Sequence, residues 1–204
     1  MTRKLDPFYL IVDNAEWLER LVPLGVKLAQ LRCKGMDEEA VCNEISRAMA
    51  ICAQHDCQLV INDFWQAAID LGCNYVHLGQ GDMDTADFKA IRRAGVRLGL
   101  STHDHAELDR ALSHDPDYVA LGPVYQTILK KMPWAPQGLD KLGEWKKLIG
   151  DRPLVGIGGL NPDRLPGVFA AGADSAAVVT DITFNPDPEA RTQAWLAATR
   201  EHAS

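Results

Sequence analysis

The side chains best suited to chemistry begin in a five-residue stretch, Gln30-Leu31-Arg32-Cys33-Lys34. Gln30, Arg32 and Lys34 alternate with Leu31 and Cys33, so in a strand the three long polar groups share one face. Strands covered by helices usually read apolar on both faces. Two cations and an amide on one inward face therefore require an anionic partner, because an unpaired buried charge is costly. A bound phosphate or diphosphate meets that requirement, and so do ion pairs with neighbouring acids. The stretch alone leaves the two readings level.

Further along, Asn62-Asp63 and Gly79-Gln80-Gly81-Asp82 each follow a short apolar run. Neighbouring strands lie about 4.8 Å apart, so Asp63 and Asp82 could both reach one hard cation. Mg²⁺ commonly takes one or two carboxylates together with phosphate oxygens and water. Taken singly, Asp63 reads better as a helix cap and Asp82 as a turn cap. The basic cluster beside them tips the pair towards metal. Ser101-Thr102-His103, Thr127 with Lys130 and Lys131, Gly158-Gly159 and Thr180 end other apolar runs. The Gly-Gly pair before Asn161-Pro162 lets backbone approach a ligand with N–H groups aimed at an anion.

Covalent catalysis finds no support. His77 lies inside a strand and reads as a packed or hydrogen-bonded core residue. His103 and His105 open a helix, and no serine or cysteine forms a triad with them. The five cysteines (33, 42, 52, 57 and 73) contain no C-x-x-C pair. Their odd number and irregular spacing suit reduced thiols, and no Cys/His spacing fits zinc. Trp134, in a Pro-rich loop, reads as loop packing.

What positions these groups is a regular alternation. Apolar runs over 8–12, 26–32, 58–61, 75–78, 97–100, 118–121, 154–157 and 176–179 read as strands. Amphipathic segments over 14–24, 38–55, 65–71, 84–94, 104–112, 139–149, 162–171 and 188–200 read as the helices between them. Asp37 can cap the second helix, and Asn161 the seventh. Eight such units are the pattern of a (β/α)8 TIM barrel, α/β in class, with 1–204 as one domain. A doubly wound open sheet accommodates eight regular units less well. In a barrel the polar strand ends above share one mouth, where ligands bind.

Composition agrees. The chain has 204 residues, 47% hydrophobic and 24% charged, with a net charge of −7. That acidity argues against nucleic acid or anionic membrane as a partner, so any phosphate site is a local basic cluster. No apolar signal region occupies residues 1–7, and no stretch approaches the roughly 20 apolar residues of a membrane span. A soluble cytoplasmic protein acting on small molecules is expected, with assembly into a homo-oligomer left open.

Together the strand ends resemble the thiamine-phosphate synthase family. The matching pieces are QLRCK (30–34), IND (61–63), VHLGQGD (76–82), GLSTH (99–103), LGPVYQT (121–127), KKMPWAPQG (130–138), GIGGL (156–160) and AAVVT (176–180). They run in family order across nearly the whole chain. The resemblance implies a (β/α)8 transferase that joins a hydroxymethylpyrimidine diphosphate to a thiazole phosphate and releases pyrophosphate. It implies that Gln30, Leu31, Arg32, Cys33, Lys34, Asn62, Ser101 and Lys130 hold the pyrimidine diphosphate. Among these, Arg32, Lys34 and Lys130 would carry the catalytic charge, and Asp63 and Asp82 would bind Mg²⁺. Thr127, Ile128, Leu129, Gly159, Val179 and Thr180 would line the thiazole phosphate site.

Departures gather on that last side. Leu129 replaces a hydroxyl residue, Thr180 replaces serine, and Asp181 stands where a small residue is usual. A carboxylate there repels a phosphate unless it points away. Two other readings accompany the synthase. One is a thiazole tautomerase-like relative, although Pro123 occupies the place of that group's histidine. The other is a non-catalytic phosphate-ligand-binding paralogue with an altered thiazole site.

Overall fold

Alternation within each strand decides which residues face the centre of the molecule. The computed structural model describes residues 4–127 and 135–202. Its strands are β1 (Phe8–Val12), β2 (Leu28–Leu31), β3 (Gln58–Asn62), β4 (Tyr75–Leu78), β5 (Arg97–Thr102), β6 (Tyr118–Leu121), β7 (Leu154–Ile157) and β8 (Ser175–Val178). Each pairs in parallel with the next, and β8 returns to β1 to close a barrel. The expected (β/α)8 architecture is therefore the observed one.

Phe8, Leu10 and Val12 of β1, Ala29 and Leu31 of β2, and Val119 and Leu121 of β6 point outward into the layer shared with the helices. Tyr9, Ile11, Leu28, Tyr75, Tyr118 and Ala120 point inward and pack the barrel interior. Both faces are thus buried, which is why the strands read apolar throughout. Each large apolar side chain so buried contributes roughly 1.5–3 kcal/mol.

The covering helices are α1 (Ala15–Leu21), α2 (Glu38–Gln54), α3 (Trp65–Asp70), α4 (Phe88–Arg93), α5 (His105–Ser113), α6 (Gly138–Ile149), α7 (Leu165–Ala170), α8 (Thr180–Thr183) and α9 (Pro188–Arg200). On α2, Val41, Ile45, Ala48 and Cys52 form the buried stripe, and the Asp37 carboxylate caps its start by accepting from the Ala40 N–H at 2.9 Å. Trp145 of α6 and Trp195 of α9 are wholly buried between helix and barrel. Among the described residues, no helix is long and apolar enough to cross a membrane.

Several boundaries differ from expectation, each for a local reason. The second strand starts at Leu28 rather than 26 and ends at Leu31, so Arg32 and Lys34 lie on the loop above it. Arg32 still donates its N–H to the Val12 carbonyl at 2.8 Å, which keeps it beside β1. The helix expected from 84 begins at Phe88, because Asp82–Asp84 forms its own single turn and the Asp87 carboxylate supplies the cap. Asn161 caps a single turn, Pro162–Arg164, that precedes α7. The short helix α8 has too few residues to show a period and was not expected.

Candidate active site

At the C-terminal ends of the strands the barrel opens into a cavity of about 720 Å³. Gln30, Arg32, Lys34, Asn62, Asp63, Asp82, Ser101, Thr127 and Val179 all line it. These residues come from β2 to β6 and from the end of β8, so barrel closure brings them together across long sequence separations. Gln30 is the deepest of the β2 trio and is buried, Arg32 is half-buried, and Lys34 is exposed at the rim. Two-residue alternation along a rising chain gives that gradient.

Leu31 and Cys33 take the opposite face and pack in the outer core. Only their backbone can meet a ligand in the cavity. Burial pushes the Cys33 thiol up to about 11, which leaves it protonated and inert at neutral pH. Gly158 lines the cavity directly, whereas Gly159 and Thr180, expected to line the thiazole phosphate site, are not among the residues that line it. Lys130, Ile128 and Leu129 lie outside the described residues, as do Lys131 and Trp134.

Asp63 follows β3 with a positive φ of 65°, a left-handed conformation that aspartate tolerates better than most residues. Its N–H donates to the His77 carbonyl at 2.9 Å, fixing the turn against β4. Asp63 does not cap α3, whose start has no side-chain cap. Its carboxylate instead receives Lys34 Nζ at 2.5 Å and lies within hydrogen-bonding reach of Asp82. Asp82 also accepts from the Gly79 N–H at 3.1 Å, so the turn-cap role holds alongside the pairing.

Burial first, and the neighbouring Asp63 second, raise the Asp82 carboxyl above its ordinary range. Two carboxylates this close favour a cation between or beside them, and Lys34 already supplies one positive charge. Among the described residues, no group of three or more His, Cys, Asp and Glu side chains forms a metal cluster. Two carboxylates fit Mg²⁺ that takes its other ligands from phosphate and water, and do not fit an all-protein cage.

The cavity floor was only partly foreseen. His77 reads from the sequence as packed or hydrogen-bonded, and it is both: its Nδ1 lies 2.8 Å from Tyr118 Oη and its Nε2 2.8 Å from Ser101 Oγ. Tyr118 Oη lies 2.9 Å from Tyr9 Oη, which accepts from Gln30 Nε2 at 2.9 Å. A continuous chain thus joins Gln30 to Ser101 through three buried rings. Burial lowers His77 to about 4 and raises both tyrosines, so all three stay neutral near pH 7.

On the β7–β8 side the lining is short or apolar, from Val155, Ile157, Gly158, Ala177 and Val179. Gly158 and Gly159 have φ of 99° and 64°, and a Cβ on Gly158 would sit 2.6 Å from Pro123 Cα. A Cβ on Gly159 would sit 2.9 Å from Tyr125 Cβ and collide with the Gln126 carbonyl. Only glycine serves at both positions. Asp181 turns away from the cavity: its carboxylate receives Arg191 Nε at 2.8 Å and Nη2 at 2.9 Å, and Trp195 Nε1 at 2.7 Å. Its charge is thereby matched on the α9 side.

Comparison with known proteins is consistent with this geometry. Residues 8–182 match the family model described as thiamine monophosphate synthase. Thiamine-phosphate synthase from Rhizobium etli is 64% identical over 196 residues, which cover 96% of each chain. The enzyme of that name from Neisseria meningitidis serogroup A is 50% identical over 190 residues, 93% of each chain. Among solved structures, thiamine phosphate pyrophosphorylase from Pyrococcus furiosus superposes with a TM-score of 0.86 over 98% of each chain. At 20% identity that likeness is one of fold. A 3-hexulose-6-phosphate synthase structure shares the fold more distantly, with a TM-score of 0.67 at 16% identity, covering 94% of this chain and 99% of its own.

Proposed function

Because the chain belongs to the thiamine monophosphate synthase family, we propose that it condenses a 4-amino-2-methyl-5-hydroxymethylpyrimidine diphosphate with a thiazole phosphate, giving thiamine phosphate and pyrophosphate. The observation that carries this reading is the convergence of Gln30, Arg32, Lys34, Asn62, Asp63, Asp82 and Ser101 in one cavity. The identity of 64% to a relative named as the synthase supports it, against a tautomerase or a non-catalytic paralogue. The outward pairing of Asp181 removes one motive for the paralogue reading.

In the proposed reaction the bond between the pyrimidine methylene and the diphosphate oxygen breaks, and its electron pair leaves with pyrophosphate. The electron-rich aminopyrimidine carries the positive charge that develops on the methylene. The thiazole nitrogen then donates its lone pair to that carbon, forming the new C–N bond. No proton transfer from a protein nucleophile is needed, consistent with the neutral, hydrogen-bonded histidine at the cavity floor.

Arg32 and Lys34 stand where negative charge accumulates on the leaving group, and Lys130 is the third cation of the set. Charge already in place at a developing anion is the largest catalytic effect available to such a site. Asp63 and Asp82 are the residues that would hold Mg²⁺, whose contribution when bound is further neutralisation of the diphosphate. Lys34 Nζ pairs with Asp63 here, and with an ion held at that carboxylate it would be available to the diphosphate instead. Asn62 and Gln30 orient the pyrimidine end, and the Gly158-Gly159 backbone with Val179 and Thr180 receives the thiazole phosphate. The reduced state of all five cysteines supports a cytoplasmic setting.

The test is product formation by purified protein from both substrates with Mg²⁺. Thiamine phosphate and pyrophosphate in equal amounts are expected. No product, with a control synthase active under the same conditions, contradicts the proposal.

A further inference from the structure

Resting on the reading of the cavity as a pyrimidine diphosphate site, we propose that Tyr9, Tyr118 and His77 are positioning residues. They fix the proton order of the floor so that Gln30 presents an acceptor, and Ser101 a donor, to the aminopyrimidine ring.

The order follows from counting protons. Gln30 Nε2 donates to Tyr9 Oη. Buried Tyr9 then has one acceptor left for its own proton, Tyr118 Oη, and Tyr118 in turn has His77 Nδ1. A neutral imidazole that accepts at Nδ1 carries its proton on Nε2 and donates it to Ser101 Oγ. The Ser101 hydroxyl proton is then left to point at the cavity. At the other end, Gln30 Oε1 has no hydrogen-bond partner among the described residues and faces the same space. A 4-aminopyrimidine offers the complement, an exocyclic amino donor and ring-nitrogen acceptors.

The histidine sits between Tyr118 and Ser101, 2.8 Å from each, so one ring nitrogen accepts and the other donates within the same chain. The rings are also held mechanically. His77 stacks on Tyr118 with centroids 5.5 Å apart and planes 15° apart. Gly99, which pairs with both His77 and Tyr118 in the sheet, leaves the space that the Tyr118 ring fills. A buried polar chain whose members satisfy one another specifies a single arrangement. A role confined to stability would need the same bonds but no particular direction in them.

Steady-state kinetics with both substrates separate the two roles. Tyr118→Phe removes one hydroxyl and interrupts the chain at its centre. We expect the KM for the pyrimidine diphosphate to rise about ten-fold, the scale of one misdirected buried hydrogen bond, with the KM for thiazole phosphate within about two-fold of wild type. His77→Leu, which removes both ring nitrogens, is expected to act in the same direction. If Y118F does not fold, Tyr9→Phe carries the same expectation one link earlier. An unchanged pyrimidine KM in a folded variant, or equal rises in both KM values, overturns the inference. A wild-type protein without turnover contradicts the synthase reading instead. Calorimetric binding of the pyrimidine diphosphate to wild type and Y118F then still decides the inference, by a roughly ten-fold weakening or by none.

Discussion

The two sides of the cavity are built from different materials. From β2 to β5 the surface is made of long polar side chains, Gln30, Arg32, Lys34, Asn62, Asp63, Asp82 and Ser101. From β7 to β8 it is made of short and apolar groups, Val155, Ile157, Gly158, Ala177 and Val179. The first side can meet a highly charged diphosphate and stabilise charge that moves. The second can only cradle a group whose charge stays constant, which suits a phosphate that does not react. In the proposed synthase, damage to the first side therefore costs turnover, and damage to the second costs affinity.

The largest expected effect is on the charged side. Arg32→Ala should lower kcat/KM by roughly a hundred-fold or more, the scale of one electrostatic group lost from a transition state. Asp82→Ala should reduce turnover by a similar order, and the Mg²⁺ concentration needed for half-maximal rate should rise with it. Titration of activity against Mg²⁺ checks this, and an unchanged Mg²⁺ dependence would remove Asp82 from the metal assignment.

An intermediate effect belongs to the β7–β8 side. Gly159→Ala forces a side chain into a positive φ and against Tyr125 and Gln126. It should raise the KM for thiazole phosphate about ten-fold and cost roughly 1–3 kcal/mol of stability. The KM for the pyrimidine diphosphate should stay nearly constant. Equal changes in both would erase the distinction between the sides.

Asp181→Ala tests whether the one acidic group on that side bears on the site at all. The substitution leaves the Trp195 indole N–H and Arg191 without their acceptor, at a cost of about 1–3 kcal/mol in chemical denaturation. Thiazole phosphate affinity should not improve, because the carboxylate faces α9. A tighter KM in D181A would mean that its charge reaches the phosphate.

Most of the charged side was legible in the sequence. Gln30, Arg32 and Lys34 announce themselves as polar residues on an otherwise apolar strand, and period-two alternation gives their common face. Asp63 and Asp82 become a pair once β3 and β4 are neighbours. The barrel itself follows from eight apolar runs with eight amphipathic segments between them.

Less could be read where the partner lies far away in sequence or the feature is backbone. Tyr9 and Tyr118, 109 residues apart, look like ordinary core aromatics until barrel closure brings their hydroxyls together. The direction of Asp181 depends on Arg191 and Trp195 in the next helix, which no local pattern encodes. A Gly-Gly pair signals freedom of conformation but not which neighbours would collide with a side chain. The expected strand over 26–32 includes Arg32, which lies instead on the loop above it, since β2 stops at Leu31.

The smallest predicted effect concerns pH. His77 has its folded value lowered to about 4 from an ordinary 6.5. A depressed value means that the unfolded chain binds the proton more readily. Its contribution to stability is therefore complete above about pH 6.5 and declines as pH falls towards 4. Imidazole NMR should show His77 neutral throughout pH 5–8. A His77 midpoint near its ordinary value would mean that water reaches the cavity floor.

The central claim is that this cavity joins two phosphorylated halves with departure of pyrophosphate. Purified protein incubated with the pyrimidine diphosphate, the thiazole phosphate and Mg²⁺ tests it most directly. The account predicts thiamine phosphate and pyrophosphate in one-to-one yield, with no product when either substrate is withheld. Absence of product beside an active control enzyme, or release of pyrophosphate without formation of the C–N bond, would contradict it.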